Sequence, residues 1–360
     1  MRPQECRRIF VLPHEGVGDL VFLLPTLYAL KEHLPETRIQ LAFSRTQQAL
    51  AGALDGKLVD AVPLYERGLT QVVRALRQFR PDVYFEFDGG LRFAIAGLLS
   101  PAIRRIHPPR ELVKSYAAAL QRESLSLEVG GHCVDTLRSL LDLLGVPRKR
   151  VSFEFEVPER YVANASSIAK RYIPDGSIAL VPLSGHRCKD WPMESLQETI
   201  NILALDLRRP VVILGRDRYP GIEHAIDLGG RTDLLTDAYL LRYSGRFDVV
   251  AGVDTGMMQI AGAISSDSDG RYGPARGNRT VSLFGPTDPN IYKPYDPTGM
   301  FNLVVAPKEK SAAMGAIGWA GDRLERAYMN EIGPQEIVDG VVRQLADDQT
   351  VELHVAQGRH

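Results

Sequence analysis

Two short blocks in the second half of the chain combine a lysine, a hydroxyl, glycine amides and carboxylates. They are Lys189-Asp190-Trp191-Pro192 and Asp254-Thr255-Gly256, the latter followed by Leu283-Phe284-Gly285-Pro286-Thr287-Asp288-Pro289. Such a set suits a phosphorylated ligand, whose charge must be met by a cation and by fixed hydrogen-bond donors. A third block, Gly16-Val17-Gly18-Asp19, holds a carboxylate at a glycine turn. Each block follows an apolar run that reads as a buried parallel strand: residues 9–12, 178–181 and 247–251. Open α/β sheets bind ligands beyond the carboxyl ends of their strands, so a nucleotide or nucleotide-sugar ligand is the expectation.

The elements that would position these blocks alternate in a regular way. Strands are expected at 9–12, 38–43 and 83–87, with an apolar edge at 61–64. Helices are expected at 20–33, 47–54, 69–79 and 132–144, the last stopped by Gly145 and Pro147. After a connector with a helix at 159–172, the pattern repeats. Strands fall at 178–182, 211–214, 247–251 and 280–284, and helices at 193–207, 232–243 and 257–264. Residues 265–278 are rich in Ser, Asp, Gly and Arg and read as a polar loop. Two doubly wound α/β domains facing across a cleft follow: an N-terminal Rossmann-like domain at 1–157, a second at 158–345, and a polar tail at 346–360.

Bulk properties fit this picture. A chain of 360 residues is long enough for two domains at about 100–200 residues each. Lys and Arg total 43 against 44 Asp and Glu, so the net charge of -1 provides no overall field for nucleic acid. Three cysteines, Cys6, Cys133 and Cys188, have no paired spacing, and the eight histidines no metal-ligand spacing. The apolar stretch 20–30, interrupted by Pro25, is short of the roughly 20 residues that span a bilayer. A cytoplasmic place is expected.

The order of the motifs carries a resemblance. Gly16-Val17-Gly18-Asp19-Leu20-Val21-Phe22-Leu23-Leu24-Pro25 resembles the N-terminal motif of glycosyltransferase family 9, the ADP-heptose:lipopolysaccharide heptosyltransferases. His132-x-Val134, Leu143-Leu144-Gly145-Val146-Pro147, Lys189-x-Trp191-Pro192, Asp254-Thr255-Gly256-Met257-Met258-x-x-Ala261, the 283–289 block and Ile332-Gly333-Pro334-Gln335-Glu336-Ile337-Val338 are similar to its later signatures. The resemblance covers about residues 9 to 345. It implies a GT-B architecture with acceptor on the first domain and nucleotide sugar on the second. It also implies inverting, metal-independent transfer from an ADP-sugar co-substrate, with no further cofactor, to a sugar hydroxyl of an anionic glycan or glycolipid. Such an acceptor leaves room for peripheral contact with the cytoplasmic face of the inner membrane.

Residue roles follow from the same resemblance. Asp19 matches the base that takes the acceptor's proton, although a carboxylate there also suits the start of a helix. Ser184, Gly185, Lys189, Asp254, Thr255, Gly256, Met257 and Gln259 would line the donor, its diphosphate above all. Asp217 or Glu223 would hold the ribose. Gly18 would face the acceptor; apart from the resemblance, Arg104, Arg105 and Arg110 form with His107 a local basic cluster that would meet an anionic acceptor and reads equally well as an ordinary charged face. Asp267-Ser268-Asp269 mimics a metal-binding pair but reads as turn chemistry. Two departures stand out: Gln259 occupies a position where the family usually has histidine, and the turn Pro182-Leu183-Ser184-Gly185 displaces the family's glycine by two positions. They motivate two alternatives, a different nucleotide sugar or acceptor, and a non-catalytic sugar-nucleotide-binding protein on the same fold.

Overall fold

The protein is described from a computed structural model, which covers residues 6–108, 125–126, 131–148, 150–266, 278–307 and 327–357. Two compact units emerge, Met1–Glu156 with Ser265–Gly273 and Val157–Ile264 with Pro274–His360. Ser265 and Ser266 join the first unit because the Ser266 main chain forms a bridge with Val151. The remainder of the polar loop, including Asp267 and Asp269, lies outside the described residues.

In the first unit all strands are parallel. The order is β3-β2-β1-β4-β5-β6, with β1 (Arg8–Leu12), β2 (Arg38–Phe43), β3 (Asp60–Pro63), β4 (Val83–Glu86), β5 (Arg104–His107) and β6 (Leu125–Ser126). Its helices are α1 (Val17–His33), α2 (Gln48–Leu54), α3 (Leu69–Phe79), α4 (Leu91–Leu98) and α5 (Cys133–Leu144). The central β1 is apolar at successive positions, Ile9, Phe10, Val11 and Leu12, because both of its faces are covered. Helix α1 packs on α5, and its residues 20–27 are all buried. Gly145 closes α5 in the left-handed conformation (φ 69°), which a side chain rarely adopts.

The second unit repeats the plan. Its parallel order is β12-β11-β10-β7-β8-β9, with β7 (Ser177–Val181), β8 (Val211–Ile213), β9 (Ile226–Asp227), β10 (Phe247–Val253), β11 (Arg279–Leu283) and β12 (Asn302–Val305). Its helices are α6 (Glu159–Tyr172), α7 (Met193–Asn201), α8 (Leu234–Tyr243), α9 (Gly256–Gly262), α10 (Pro289–Tyr292), α11 (Ala327–Asn330) and α12 (Pro334–Gln357). Helix α12 therefore runs past residue 345.

Alternation along the strands builds two cores on this one sheet. Ile178 and Leu180 of β7 pack with Leu196 and Ile200 of α7 and with Ile337 and Val341 of α12. Ala179 and Val181, one step out of phase, pack with Ala165 and Ala169 of α6 and Leu240 and Leu241 of α8. Each fully buried aliphatic side chain contributes on the order of 1.5–3 kcal/mol, so the alternation fixes the strand register. Gly252 near the end of β10 is required by space: a Cβ would come within 2.6 Å of the Val181 carbonyl oxygen.

Several boundaries differ from expectation. Helix α1 starts at Val17 rather than residue 20, which puts Asp19 in its first turn. The helix expected to reach residue 207 ends at Asn201 and continues as a π turn, Ile202–Asp206. Helix α4 and strands β5, β9 and β12 were not anticipated.

Candidate functional site

The first unit's candidate group sits on the loop between β1 and α1. Gly16 caps the helix in extended conformation, and the Asp19 carboxylate Oδ2 reaches back to accept its N–H at 3.0 Å. His14 Nδ1 lies 3.4 Å from the same oxygen. The loop's carbonyls are held one by one by distant side chains. Arg67 donates to Pro13 O, Gln47 Nε2 to His14 O (2.7 Å) and Gly16 O (2.9 Å), and Ser44 Oγ (2.8 Å) with Thr46 to Glu15 O. Gln47 is itself fixed, its Oε1 accepting from Ser44 N–H at 3.1 Å.

Arg67 is wholly buried, its Nη1 3.7 Å from Glu15 and 3.5 Å from Asp88, its guanidinium 5.9 Å from the Phe93 ring centroid. Arg92 extends the cluster, 3.9 Å from Glu15. Burial pushes the Asp88 carboxyl upward against the pull of His14, Arg67 and Arg92. His14 is also raised: its hydrogen bond to the Asp19 carboxylate is the main cause, with Asp88 adding, and burial and Arg67 opposing. None of Ser44, Gln47, Arg67 or Asp88 was singled out from the sequence.

The arginine cluster expected to face an acceptor takes a different form. Arg104 and Arg105 are successive residues of β5, so they project to opposite faces of the sheet. Arg104 Nη1 donates to Leu143 O at 2.9 Å, at the end of α5, and Arg105 lies against α4 beside Gly97. They do not share one charged face because strand geometry separates them. Arg110 lies outside the described residues.

The second unit's group gathers at the carboxyl ends of three adjacent strands, β7, β10 and β11. Lys189, in a single 3₁₀ turn after β7, puts Nζ 2.9 Å from Asp254 Oδ2. Thr287, after β11, donates to the same oxygen at 2.7 Å. All three are nearly enclosed, the side chains of Lys189 and Asp254 being only 13% and 10% exposed. Thr287 stood in a quoted motif without an assigned role; Asp254 is what gives it one. Thr255 precedes α9 as its cap residue, with Gly256 and Met257 opening the helix.

Other expected donor residues serve the fold. Ser184 Oγ donates to His186 O (2.7 Å) and accepts its N–H (2.9 Å), while its own N–H binds Asp190 Oδ1 (2.9 Å). It holds the turn in which Gly185 is exposed. Trp191 is core. Gln259 is buried and donates to Tyr292 O at 2.6 Å, a tie between α9 and α10. Asp217 and Glu223 are exposed and engaged with their neighbours Arg216 (3.3 Å) and His224 (3.9 Å). Neither is drawn into the Lys189–Asp254–Thr287 network. Among the described residues no group of three or more His, Cys, Asp or Glu is placed to hold a metal ion, and no helix is long and apolar enough to cross a membrane.

The family described as glycosyltransferase family 9 (heptosyltransferase) matches residues 70–316, more than half of the chain. The chain belongs to glycosyltransferase family 9. Solved structures agree on the fold of this family 9 enzyme. A family 9 glycosyltransferase from Veillonella parvula aligns with a TM-score of 0.71 at 17% identity, covering 96% of this chain and 98% of its own. The Escherichia coli ADP-heptose lipopolysaccharide heptosyltransferase II gives 0.65 at 16% identity, over 95% and 99%. Escherichia coli heptosyltransferase WaaC, solved with ADP, gives 0.61 at 16% identity, over 94% and 99%. No curated protein sequence matches. The fold class is thus that expected, α/β with two Rossmann-like units of GT-B type, and the chain is a glycosyltransferase.

Proposed function

We propose that this glycosyltransferase moves a heptose from an ADP-linked donor to a sugar hydroxyl of a lipopolysaccharide-core-like acceptor, with inversion and without a metal ion. The observation that carries the reading is the Lys189–Asp254–Thr287 network at three neighbouring strand ends, where sheets of this class bind nucleotides. Asp19 accepts the acceptor's proton as the acceptor oxygen bonds to the anomeric carbon. The bond from that carbon to the diphosphate breaks, and the nucleoside diphosphate leaves with the electron pair. Lys189 meets the charge that builds on the leaving oxygens, helped by the hydroxyl of Thr255 and the amides of Gly256 and Met257. Asp254, steadied by Thr287, aligns the ammonium and accepts hydrogen bonds from hydroxyls of the donor sugar. A solved relative named as an ADP-heptose heptosyltransferase, and WaaC solved with ADP-2-deoxy-2-fluoro heptose, support the donor.

A second reading keeps the chemistry and changes the nucleotide. It is favoured by Gln259, whose amide is tied to Tyr292 at the position where the resemblance to the family leads one to expect histidine. A thermal-shift screen separates the two: ADP is expected to raise the melting temperature more than UDP, GDP or CMP. A clear preference for UDP would sink the ADP-heptose reading.

Lys189→Ala is expected to weaken ADP binding by about 1–3 kcal/mol, the scale of a lost charge-assisted hydrogen bond. The loss is compounded because Asp254 would be left without its ammonium partner in a nearly enclosed position. Titration calorimetry on the variant checks this. Unchanged affinity would remove Lys189 from the donor site.

A further inference from the structure

The loop that carries Asp19 also carries a group that the reaction as written does not use. His14 faces Asp19 Oδ2 at 3.4 Å, and that oxygen is already fixed by the Gly16 N–H at 3.0 Å. The contact is not an accident of a loose loop. The carbonyl of His14 is held by Gln47 at 2.7 Å, and the carbonyls on either side of it by Arg67, Ser44 and Thr46. The imidazole is half exposed, 53% against 22% for the Asp19 side chain, so its outer nitrogen exchanges protons with water while Nδ1 faces the carboxylate.

We infer that His14 is a positioning residue that acts through Asp19: neutral, its Nδ1–H holds the carboxylate in place for the acceptor, and protonated it switches the base off. The inference rests on the reading of Asp19 as base. The switch is a matter of one proton. Uptake of a proton from water at Nε2 turns the imidazole into a cation beside the carboxylate. An ion pair favours the ionised carboxylate, and a carboxylate so stabilised is a poorer acceptor for the hydroxyl proton.

The charged groups around His14 act in both directions. Asp19 from α1 and Asp88 from the end of β4 favour the imidazolium, while Arg67, from the segment before α3, and burial oppose it. Glu15 on the same loop and Arg92 of α4 pair with this cluster at 3.7 Å from Arg67 and 3.9 Å from one another. The net effect raises the pKa of His14 above its usual 6.5. The transition therefore lies above the ordinary imidazole value, well clear of the range in which a lone carboxylate titrates.

The test is a pH–rate profile of the full-length enzyme with whichever nucleotide sugar the donor screen selects, joined to an NMR titration of the imidazole. In wild type, turnover is expected to fall about tenfold per pH unit below the His14 transition. His14→Asn keeps an N–H donor at the Nδ1 position but does not titrate. Its turnover at pH 8 should stay within about threefold of wild type and remain level down to about pH 6. His14→Ala, lacking the donor, should be slower across the whole range with little change in KM. In the NMR experiment Asp19→Asn should lower the His14 transition, a readout that needs no turnover. An acidic limb retained in His14→Asn, or a His14 transition unmoved by Asp19→Asn, overturns the inference and leaves the base reading standing. Turnover of Asp19→Asn within a few-fold of wild type overturns the base reading itself, and the switch with it.

Discussion

Asp19→Asn is expected to lower turnover by roughly 10²–10⁴-fold while melting temperature and nucleotide affinity stay close to wild type. An amide oxygen can still accept the Gly16 N–H, so the first turn of α1 keeps its reciprocal contact. The loop itself hangs on Gln47, Ser44, Thr46 and Arg67, none of which bonds to the Asp19 side chain. Only the capacity to take the acceptor's proton is lost. Asp19→Ala should lose that capacity and the contact as well, costing about 1 kcal/mol of stability in addition. Steady-state turnover and melting curves of both variants decide the matter. An active Asn variant would reduce Asp19 to a helix-end residue.

Asp237→Asn should stabilise the protein, and only away from acid. Asp237 lies in α8, 2% exposed, and its Oδ1 has no hydrogen-bond partner among the described residues. Burial pushes its carboxyl up to about 7, with the Thr232 hydroxyl pulling down and Asp233 pushing up. In the unfolded chain the group ionises near 3.8. Between those values the folded protein holds a proton that the unfolded chain has released, so stability declines as pH rises through this window and then levels off. At pH 8 the charged carboxylate remains an uncompensated cost of a few kcal/mol, on the order of 1.4 kcal/mol for each unit of the difference. An amide of the same shape removes that cost. Melting temperatures at pH 8 should rise by several degrees in the variant, while the two proteins should converge near pH 4. A gain of equal size at both pH values would point to packing instead.

Much of the fold was legible because its signals are local. The central strands β1, β4, β7, β8, β10 and β11 announce themselves as apolar runs, and α5 as a helical stripe closed by Gly145. Helix α4 escaped because Leu91, Phe93, Ala94, Ile95, Ala96 and Leu98 leave little polar contrast, and Gly97 looks like a breaker. In the structure that glycine lets the helix lie against the Tyr84 ring, 3.2 Å from where a Cβ would stand. The site divides in the same way. Lys189, Asp254 and Asp19 belong to short motifs and could be named from the resemblance those motifs carry, though the contacts they make could not. Arg67 reads as one more surface arginine until it is found wholly enclosed, and Gln47 as an ordinary helix start until it is seen to hold two carbonyls. Those contacts join residues far apart in the chain, and no periodicity records them. The arginines of β5 erred in the opposite sense, neighbours in sequence that a strand sends apart.

The stays of the Asp19 loop have a bearing on how the enzyme comes into being. Its carbonyls are gripped by residues 29, 31, 33 and 54 positions further along the chain. No stretch of polypeptide emerging from a ribosome can give this loop its shape until β2 and the approach to α3 have docked on β1. The loop therefore cannot acquire its native form before the chain has extended at least to Arg67. A chain stalled before Arg67 would hold the motif and lack the geometry.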